Sequence, residues 1–244
     1  MGGTIQVYSQ PGTIPEPETY ARKLMRVWTG VAALCVLGAG APVATEHVVL
    51  LFDGKSLDGW TTIEGKPVTR GWEVVDGTLH RGTKGSDIIT RKEYGDFDLR
   101  FEFKIAEGAN SGLKYKFKQF GRHWFGCEYQ VIDDGEADPY SKHAAGALYD
   151  VVAPSKKKKA KPAGEFNSGR VVVRGTLIEH WMNDEKILEA DTSSSAWKKS
   201  IARSKFSDVE GFGQNARGRI MLQEHGGEAW FRKISLRPLD RKAP

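Results

Sequence analysis

Two short stretches place polar side chains where strands would normally carry apolar ones. In "CEYQVIDD" (127–134), strict alternation puts Glu128 and Gln130 on one face and Cys127, Tyr129 and Val131 on the other. In "RIMLQEHGGEAWFRKISL" (219–236), Arg219, Met221, Gln223 and His225 share a face before Gly226 and Gly227 break the pattern. A third stretch, "LIEHWMN" (177–183), aligns His180 with Ile178 and Met182. A carboxylate, two amides and two imidazoles are oxygen and nitrogen donors of the kind that hold a divalent cation. They are equally the groups that read sugar hydroxyls. Each also has a plain structural reading: Glu and Gln on an outward strand face suit solvent, and a strand histidine suits a hydrogen-bonded structural role. No local zinc spacing such as His-Glu-x-x-His occurs, so any metal site has to be assembled from separate strands.

The elements that must carry these residues are strands. "FDLRFEFKI" (97–105) alternates Phe97, Leu99, Phe101, Phe103 and Ile105 against Asp98, Arg100, Glu102 and Lys104, so one face is buried and the other wet. Similar runs recur at 48–52, 72–75, 86–90, 112–118, 127–132, 170–175, 177–183, 185–190, 218–223 and 229–236, with hairpin signals such as "VDGT" and "NDEK" between them. No stretch keeps an apolar period of 3.6 residues over three turns. The expected architecture is an all-β antiparallel sandwich or barrel in one domain, 46–240. The longest segment without strand character runs from Asp133 to Asn167. Its first half, with Tyr140, His143 and Tyr149, is expected to fold over a site, and its lysine-rich second half to be solvated and mobile. Asp133 and Asp134 read as caps of a strand end. Trp60, Trp72, Trp124, Trp197 and Trp230 read as packing residues before sugar platforms.

The chain of 244 residues, 28 of them glycine, is long enough for a sizeable core. Residues 1–45 stand apart. Arg22, Lys23 and Arg26 precede the apolar run "VWTGVAALCVLGAGAPVA", the layout of a secretory signal, with Met25 as an alternative start. The run is short and rich in Gly and Ala for a membrane span, so a secreted or periplasmic domain without integral membrane association is expected. Cys35 falls in that segment and Cys127 is the other cysteine, which leaves the exported domain without an internal disulfide. Lys156, Lys157, Lys158, Lys159 and Lys161 match the whole formal charge of +5, and the rest is close to neutral. A single basic block beside prolines is not the aromatic-interleaved groove of a nucleic-acid binder, and no nucleic-acid partner is expected.

Taken in order, "LFDGKSLDGW" (51–60), "GDFDLRFEFKIAEGANSGLKYKF" (95–117), "CEYQVIDD", "HAAGALYDVVAPS" (143–155), "GEFNSGRVVVRGTLIEHWMNDEKI" (164–187) and "IMLQEHGGEAWFRKISL" (220–236) resemble the 3-keto-disaccharide hydrolase family. Departures are Lys116 where the family often has arginine, Phe166 for tryptophan and Lys233 for asparagine. The resemblance implies a concanavalin A-like jelly-roll sandwich of two curved antiparallel sheets with the site on the concave face. It also implies a carbohydrate substrate, a glycoside already oxidised to a ketone at carbon 3. Such a ketone acidifies the proton on carbon 2, so a base can remove it, expel the group on carbon 1 and leave an enone to which water adds. A divalent cation of unspecified identity would stabilise the enolate. Carried over by position, Glu128 and His225 form the expected centre, with Glu128, His180 and His225 as the metal set. Gln130, His180 and Gln223 serve as ligands or sugar contacts, Asn110 and Ser111 lie at the rim, and His143 and Tyr149 close from the loop. Arg232 suits a structural ion pair at least as well as a substrate role. The rival class is a non-catalytic lectin-like binding module on the same face. An ordinary retaining glucanase is disfavoured, because Gln130 stands where its second carboxylate would be.

Overall fold

Alternation decides which faces of the strands meet, and two antiparallel sheets result. The computed structural model describes residues 47–239, so the expected export signal lies outside the described residues. In chain order the elements are β1 (Val49–Leu50), β2 (Trp60–Thr62), β3 (Trp72–Val75), β4 (Thr78–Arg81), β5 (Ile88–Thr90), β6 (Phe97–Ile105) and β7 (Asn110–Phe120). They continue with β8 (His123–Ile132), β9 (Asn167–Arg174), β10 (Leu177–Met182), β11 (Glu185–Asp191), α1 (Ser195–Ile201), β12 (Arg219–Leu222) and β13 (Ala229–Pro238). The larger sheet runs β11-β10-β9-β6-β13-β4-β3 with β1 added beside β13, and the smaller runs β2-β5-β12-β7-β8. The expected jelly-roll sandwich is the fold found.

The core lies between the sheets. From β6 come Phe97, Leu99, Phe101, Phe103 and Ile105; β7 and β8 answer with Leu113, Tyr115, Cys127, Tyr129 and Val131. Aromatic edges lock the layers: Phe101 and Tyr129 meet edge to face at 5.2 Å, Phe97 and Tyr115 at 6.3 Å. Both hairpin signals form as read. Asp76 and Gly77 turn with positive φ between β3 and β4, as do Asn183 and Asp184 between β10 and β11, the backbone that a tight two-residue hairpin needs. α1 is too short to show a helical period in sequence. Ser194 caps it by accepting from the Trp197 amide at 3.1 Å, and Trp197 is its one buried residue.

Two bulges change alternation. In β13 the register shifts between Arg232 and Ser235, where Lys233 has φ 51°. Ile234 therefore joins the core, although simple alternation puts it with Trp230 and Arg232. Arg232 stays outside, donating to Glu102 at 2.6 Å with its guanidinium 3.8 Å from the Phe166 ring centre, a structural role. In β7 the shift between Tyr115 and Lys118, with Lys116 at φ 51°, turns Phe117 to the outer face. There it joins Ile89, Met221, Ile63 and Trp124 in a second apolar cluster, stacked 5.4 Å from Trp124.

The long segment 133–167 behaves in part as expected. Its first half docks on the free edge of β8: the Gln130 amide donates to Ala147 O, Gly146 N to Gln130 O, and Tyr149 N to Glu128 O at 3.0 Å. The lysine block is not uniformly solvated. Lys158 is buried and donates to Asp134 at 2.6 Å and to the Ala145 carbonyl at 3.2 Å. Asp134 also accepts from Ala145 N, so the pair fastens the second half of the loop to the first. Among the described residues, no helix is long and apolar enough to cross a membrane.

Candidate active site

Register places the polar cluster on the outer face of the smaller sheet. Lys114 on β7 stands opposite Glu128 on β8, Gly112 stands opposite Gln130, and Met221 on β12 stands opposite Lys114. Paired residues in an antiparallel ladder point to the same side, so Glu128, Gln130, Lys114 and Asn110 share the face turned away from Leu113, Tyr115, Cys127 and Tyr129. Gly112 has a reason to be glycine. A Cβ there would meet Oε1 of Glu128, with Cδ at 3.0 Å and Cγ at 3.1 Å, so the Glu128 side chain lies flat across the β7 backbone.

Glu128 is 4% exposed. Burial pushes its carboxyl above the usual carboxylate range, against the opposing pull of Lys114, Lys205 and His225. Lys114 Nζ is 3.6 Å from Oε2. The Gln130 amide fits when its nitrogen donates to Oε1 at 2.9 Å and to Ser111 O at 3.3 Å. Its oxygen then faces the Asn110 side chain at 3.3 Å, which is a hydrogen bond when the Asn110 amide nitrogen points to it. The Asn110 amide also meets Nδ1 of His225 at 3.2 Å, and the orientation of that amide decides which ring nitrogen of the exposed His225 carries the proton. Glu128 and His225 are thus linked through two amides.

Acid and base groups flank this line. Asp87 accepts from Glu224 N at 2.9 Å; burial raises its pKa, opposed by that hydrogen bond and by Lys114 and His225. Arg81 binds the Gly227 carbonyl and the Glu224 carboxylate, which holds the turn of Gly226 (φ 141°) and Gly227 (φ 72°) that ends the His225 segment. Gln223 N donates to Gly112 O at 2.9 Å. From the loop, Tyr149 is half-buried and its hydroxyl pKa is raised by burial first, then by Glu128 and Asp150. Asp150 is the loop's anchor. It takes Lys142 Nζ at 2.7 Å, His143 Nε2 at 2.9 Å and the Lys205 amide at 2.7 Å. Burial acts to raise its carboxyl, but these donors hold it down to about 2. Lys205 stretches over the Tyr149 ring, its Nζ 4.3 Å from the centre.

The structure brings together Glu128, Gln130, Asn110, Gln223, His225 and Tyr149. It does not bring His180 to them. His180 is fully buried on the core side, with Nε2 bonded to the Tyr115 hydroxyl at 2.7 Å and Nδ1 to Gly146 O at 2.9 Å. Tyr115 and Cys127 are on the core face of the sheet whose opposite face holds Glu128, so the set Glu128, His180 and His225 cannot meet at one ion. Among the described residues, no group of three His, Cys, Asp or Glu side chains is gathered closely enough to hold a metal. The expected triad is therefore not assembled in this fold. Ser111 is also displaced from the expected rim. Next to Asn110 in a strand, it points inward and is fully buried, its hydroxyl donating to Gln223 O at 2.7 Å. His143 is exposed and reaches the site through Asp150 and the Tyr149 ring, 5.1 Å away.

Sequence reasoning missed Lys114, Lys205 and Asp87. Lys114 was within reach of it, since alternation from Leu113 and Tyr115 puts Lys114 on the Gly112 face. Lys205 lies in an irregular stretch with no period to read.

The family model described as the 3-keto-alpha-glucoside-1,2-lyase-like domain matches residues 47–237. A 3-keto-disaccharide hydrolase from Bacteroides thetaiotaomicron is 28% identical over 235 residues, 82% of this chain and 81% of that protein. A crystal structure of a candidate glycosyl hydrolase from Parabacteroides distasonis superposes with a TM-score of 0.72 at 30% identity, covering 79% of this chain and 94% of that one. A second from the same organism gives 0.61 at 28%, with 79% and 100% covered.

Proposed function

Since the chain belongs to the 3-keto-alpha-glucoside-1,2-lyase-like family, we propose that it is a hydrolase of 3-keto-glycosides that works by elimination at carbons 1 and 2 followed by hydration. The observation that carries this reading is Glu128, a buried carboxylate with a raised pKa on the outer sheet face. A base for a carbon acid gains strength as its pKa rises, and burial supplies that rise here. In the proposed reaction Glu128 takes the proton from carbon 2, and the electron pair moves onto the ketone oxygen as an enolate. Collapse of the enolate breaks the bond from carbon 1 to the leaving oxygen, which takes up a proton, and an enone remains. Addition of water across carbons 1 and 2 completes a net hydrolysis.

Gln130 and Asn110 fix the Glu128 oxygen and the His225 tautomer. With Nδ1 bound to Asn110, Nε2 of His225 is the second proton-handling group, suited to activating the water or protonating the leaving oxygen. Gln130 cannot itself ionise, so β8 lacks the second carboxylate that a retaining glucanase carries on the same strand. The reading extends to location: the basic and apolar pattern of residues 22–45 supports work outside the cytoplasm.

The test is release of 4-nitrophenol from the 4-nitrophenyl 3-keto-α- and 3-keto-β-glucosides and from the unoxidised glucosides, with and without chelator. Turnover of the keto-sugar alone, lost in Glu128→Gln, is the expected result. Equal turnover of oxidised and unoxidised glucosides, or a fully active Glu128→Gln protein, refutes the base assignment. Binding of plain oligosaccharides with no keto-sugar turnover makes the domain a lectin-like module instead. Activity that falls with chelator and returns with a divalent ion gives the reaction a metal, held by ligands other than the expected triad.

A further inference from the structure

Enolate formation places negative charge on the oxygen at carbon 3, and a site that speeds it must meet that charge with a fixed positive group. Three cations face Glu128: Lys114, Lys205 and, when protonated, His225. Lys114 is committed to the resting carboxylate, 3.6 Å from Oε2. The His225 ring is committed at Nδ1 to Asn110. Lys205 differs from both. Among the described residues its Nζ makes no ion pair within 4 Å, and its neighbours are the faces of Tyr149 at 4.3 Å and Phe206 at 5.2 Å. Its backbone is nonetheless held, through the 2.7 Å bond from its amide to Asp150.

We propose that Lys205 is the electrophilic residue of the site, its ammonium receiving the enolate oxygen of the keto-sugar while Glu128 takes the proton from carbon 2. This rests on the keto-sugar reading above. The ammonium of Lys205 is already partly stripped of water: desolvation lowers its pKa, Glu128 raises it, and Lys114 lowers it further. An ammonium that lies over an aromatic ring with no carboxylate within ion-pairing distance gains less in the free protein than when an anion arrives against it. The loop geometry agrees. Tyr149 N bonds to Glu128 O while Tyr149 carries Lys205 across its ring, so one loop residue sets the separation between base and electrophile. No proton need leave Lys205. The enolate forms as a charge-assisted hydrogen bond to it, and that bond weakens as the electron pair returns to expel the group on carbon 1.

The experiment compares full-length wild type, Lys205→Met and Lys205→Arg on the 4-nitrophenyl 3-keto-α- and 3-keto-β-glucosides, with thermal denaturation as the check on folding. Lys205→Met is expected to lower kcat by about 10²–10³-fold, the size seen when one oxyanion donor is removed, with KM changed by less than about fivefold. Lys205→Arg keeps the charge and is expected to recover part of that loss. A further readout separates chemistry from binding: deuterium uptake at carbon 2 from heavy water, followed by NMR on a 3-keto-sugar with no leaving group at carbon 1, falls in parallel with kcat. If wild type is active and a folded Lys205→Met protein keeps kcat within about fivefold, or loses activity through KM alone, Lys205 is not the electrophile. If wild type leaves both keto-glucosides intact, the keto-sugar reading falls and the role of Lys205 falls with it.

Discussion

Gly112→Ala is the most informative single change, because it moves one atom group without deleting any. The new Cβ has to share space with the Glu128 side chain, whose Cδ and Cγ lie 3.0 and 3.1 Å from its position. β7 is hydrogen-bonded to β12 and β8 on its two sides, so the backbone of residue 112 is the harder partner to shift. The carboxylate yields instead. A displacement of roughly 1 Å is what removes the overlap, and misplacement on that scale costs on the order of 10²-fold in rate when a catalytic group is concerned. It also pulls Oε1 from Gln130 and Oε2 from Lys114. Stability should move the other way or hardly at all. Alanine in a strand is favoured over glycine by roughly 0.5–1 kcal/mol in conformational terms, which offsets part of the crowding.

The assay is kcat/KM on a chromogenic 3-keto-glucoside, with thermal denaturation alongside, for Gly112→Ala, Glu128→Ala and the double variant. The expected pattern is a folded Gly112→Ala protein about 10²-fold less active, and a double variant no worse than Glu128→Ala, since without the carboxylate the methyl group has nothing to displace. A Gly112→Ala protein within about threefold of wild type refutes the geometry of the base, and so does a double variant in which the two losses simply add.

Other predictions follow from the burial of single groups. His180→Phe should cost about 2–4 kcal/mol, because it leaves the Tyr115 hydroxyl and Gly146 carbonyl unpaired in the core. Burial pushes the His180 pKa down from 6.5 to about 4. Wild-type stability from this group is therefore full above about pH 6.5 and declines toward pH 4, because the unfolded chain binds the proton first. The expected loss is on the order of 3 kcal/mol, read as the difference between wild-type and His180→Phe urea midpoints across that range. Asp150→Ala should free the loop that carries Tyr149 and the Lys205 amide, with faster proteolysis at 133–167 and roughly tenfold lower kcat/KM. Cys127 is buried, and burial raises its thiol pKa to about 12, so peptide mapping after alkylation should find it unmodified in the folded protein and labelled only in denaturant.

Period-two alternation revealed a great deal here because it needs only neighbours to be read. It separated Glu128 and Gln130 from Cys127 and Tyr129, and it put Phe97 to Ile105 in the core. It correctly grouped His180 with Ile178 and Met182, both fully buried. What alternation cannot say is which of two faces meets the other sheet when a polar residue sits among apolar ones. The flanking Ile178 and Met182 were the signal that the His180 face is the core face, and the chemistry of imidazole drew attention away from it. Alternation also fails at bulges. Lys116 and Lys233 take positive φ without being glycine, so nothing in their type marks the slip that sends Phe117 outward and Ile234 inward. Lys205 was illegible for a different reason: it reaches the site from irregular backbone, where position depends on contacts distant in sequence, such as its amide on Asp150.

The two faces of β8 tie the precision of the site to the packing of the core. Glu128 and Gln130 alternate with Cys127, Tyr129 and Val131, all fully buried, so each inward residue fixes the backbone on either side of an outward one. Tyr129 is the strongest of these clamps. Its ring meets Phe101 at 5.2 Å, Phe103 at 6.0 Å and His180 at 4.8 Å, and its hydroxyl donates to Trp181 O at 3.1 Å. His180 thus shapes the site after all, as a neutral wedge behind the strand that carries the base. An imidazole there satisfies the Tyr115 hydroxyl and the Gly146 carbonyl at once, which an apolar side chain of the same size cannot do. Gly146 lies in the loop segment that pairs with β8 and leads to Tyr149. The same buried ring therefore holds the back of the base strand and the root of the loop that covers it, and both are needed to keep Glu128 and Lys205 at a fixed separation.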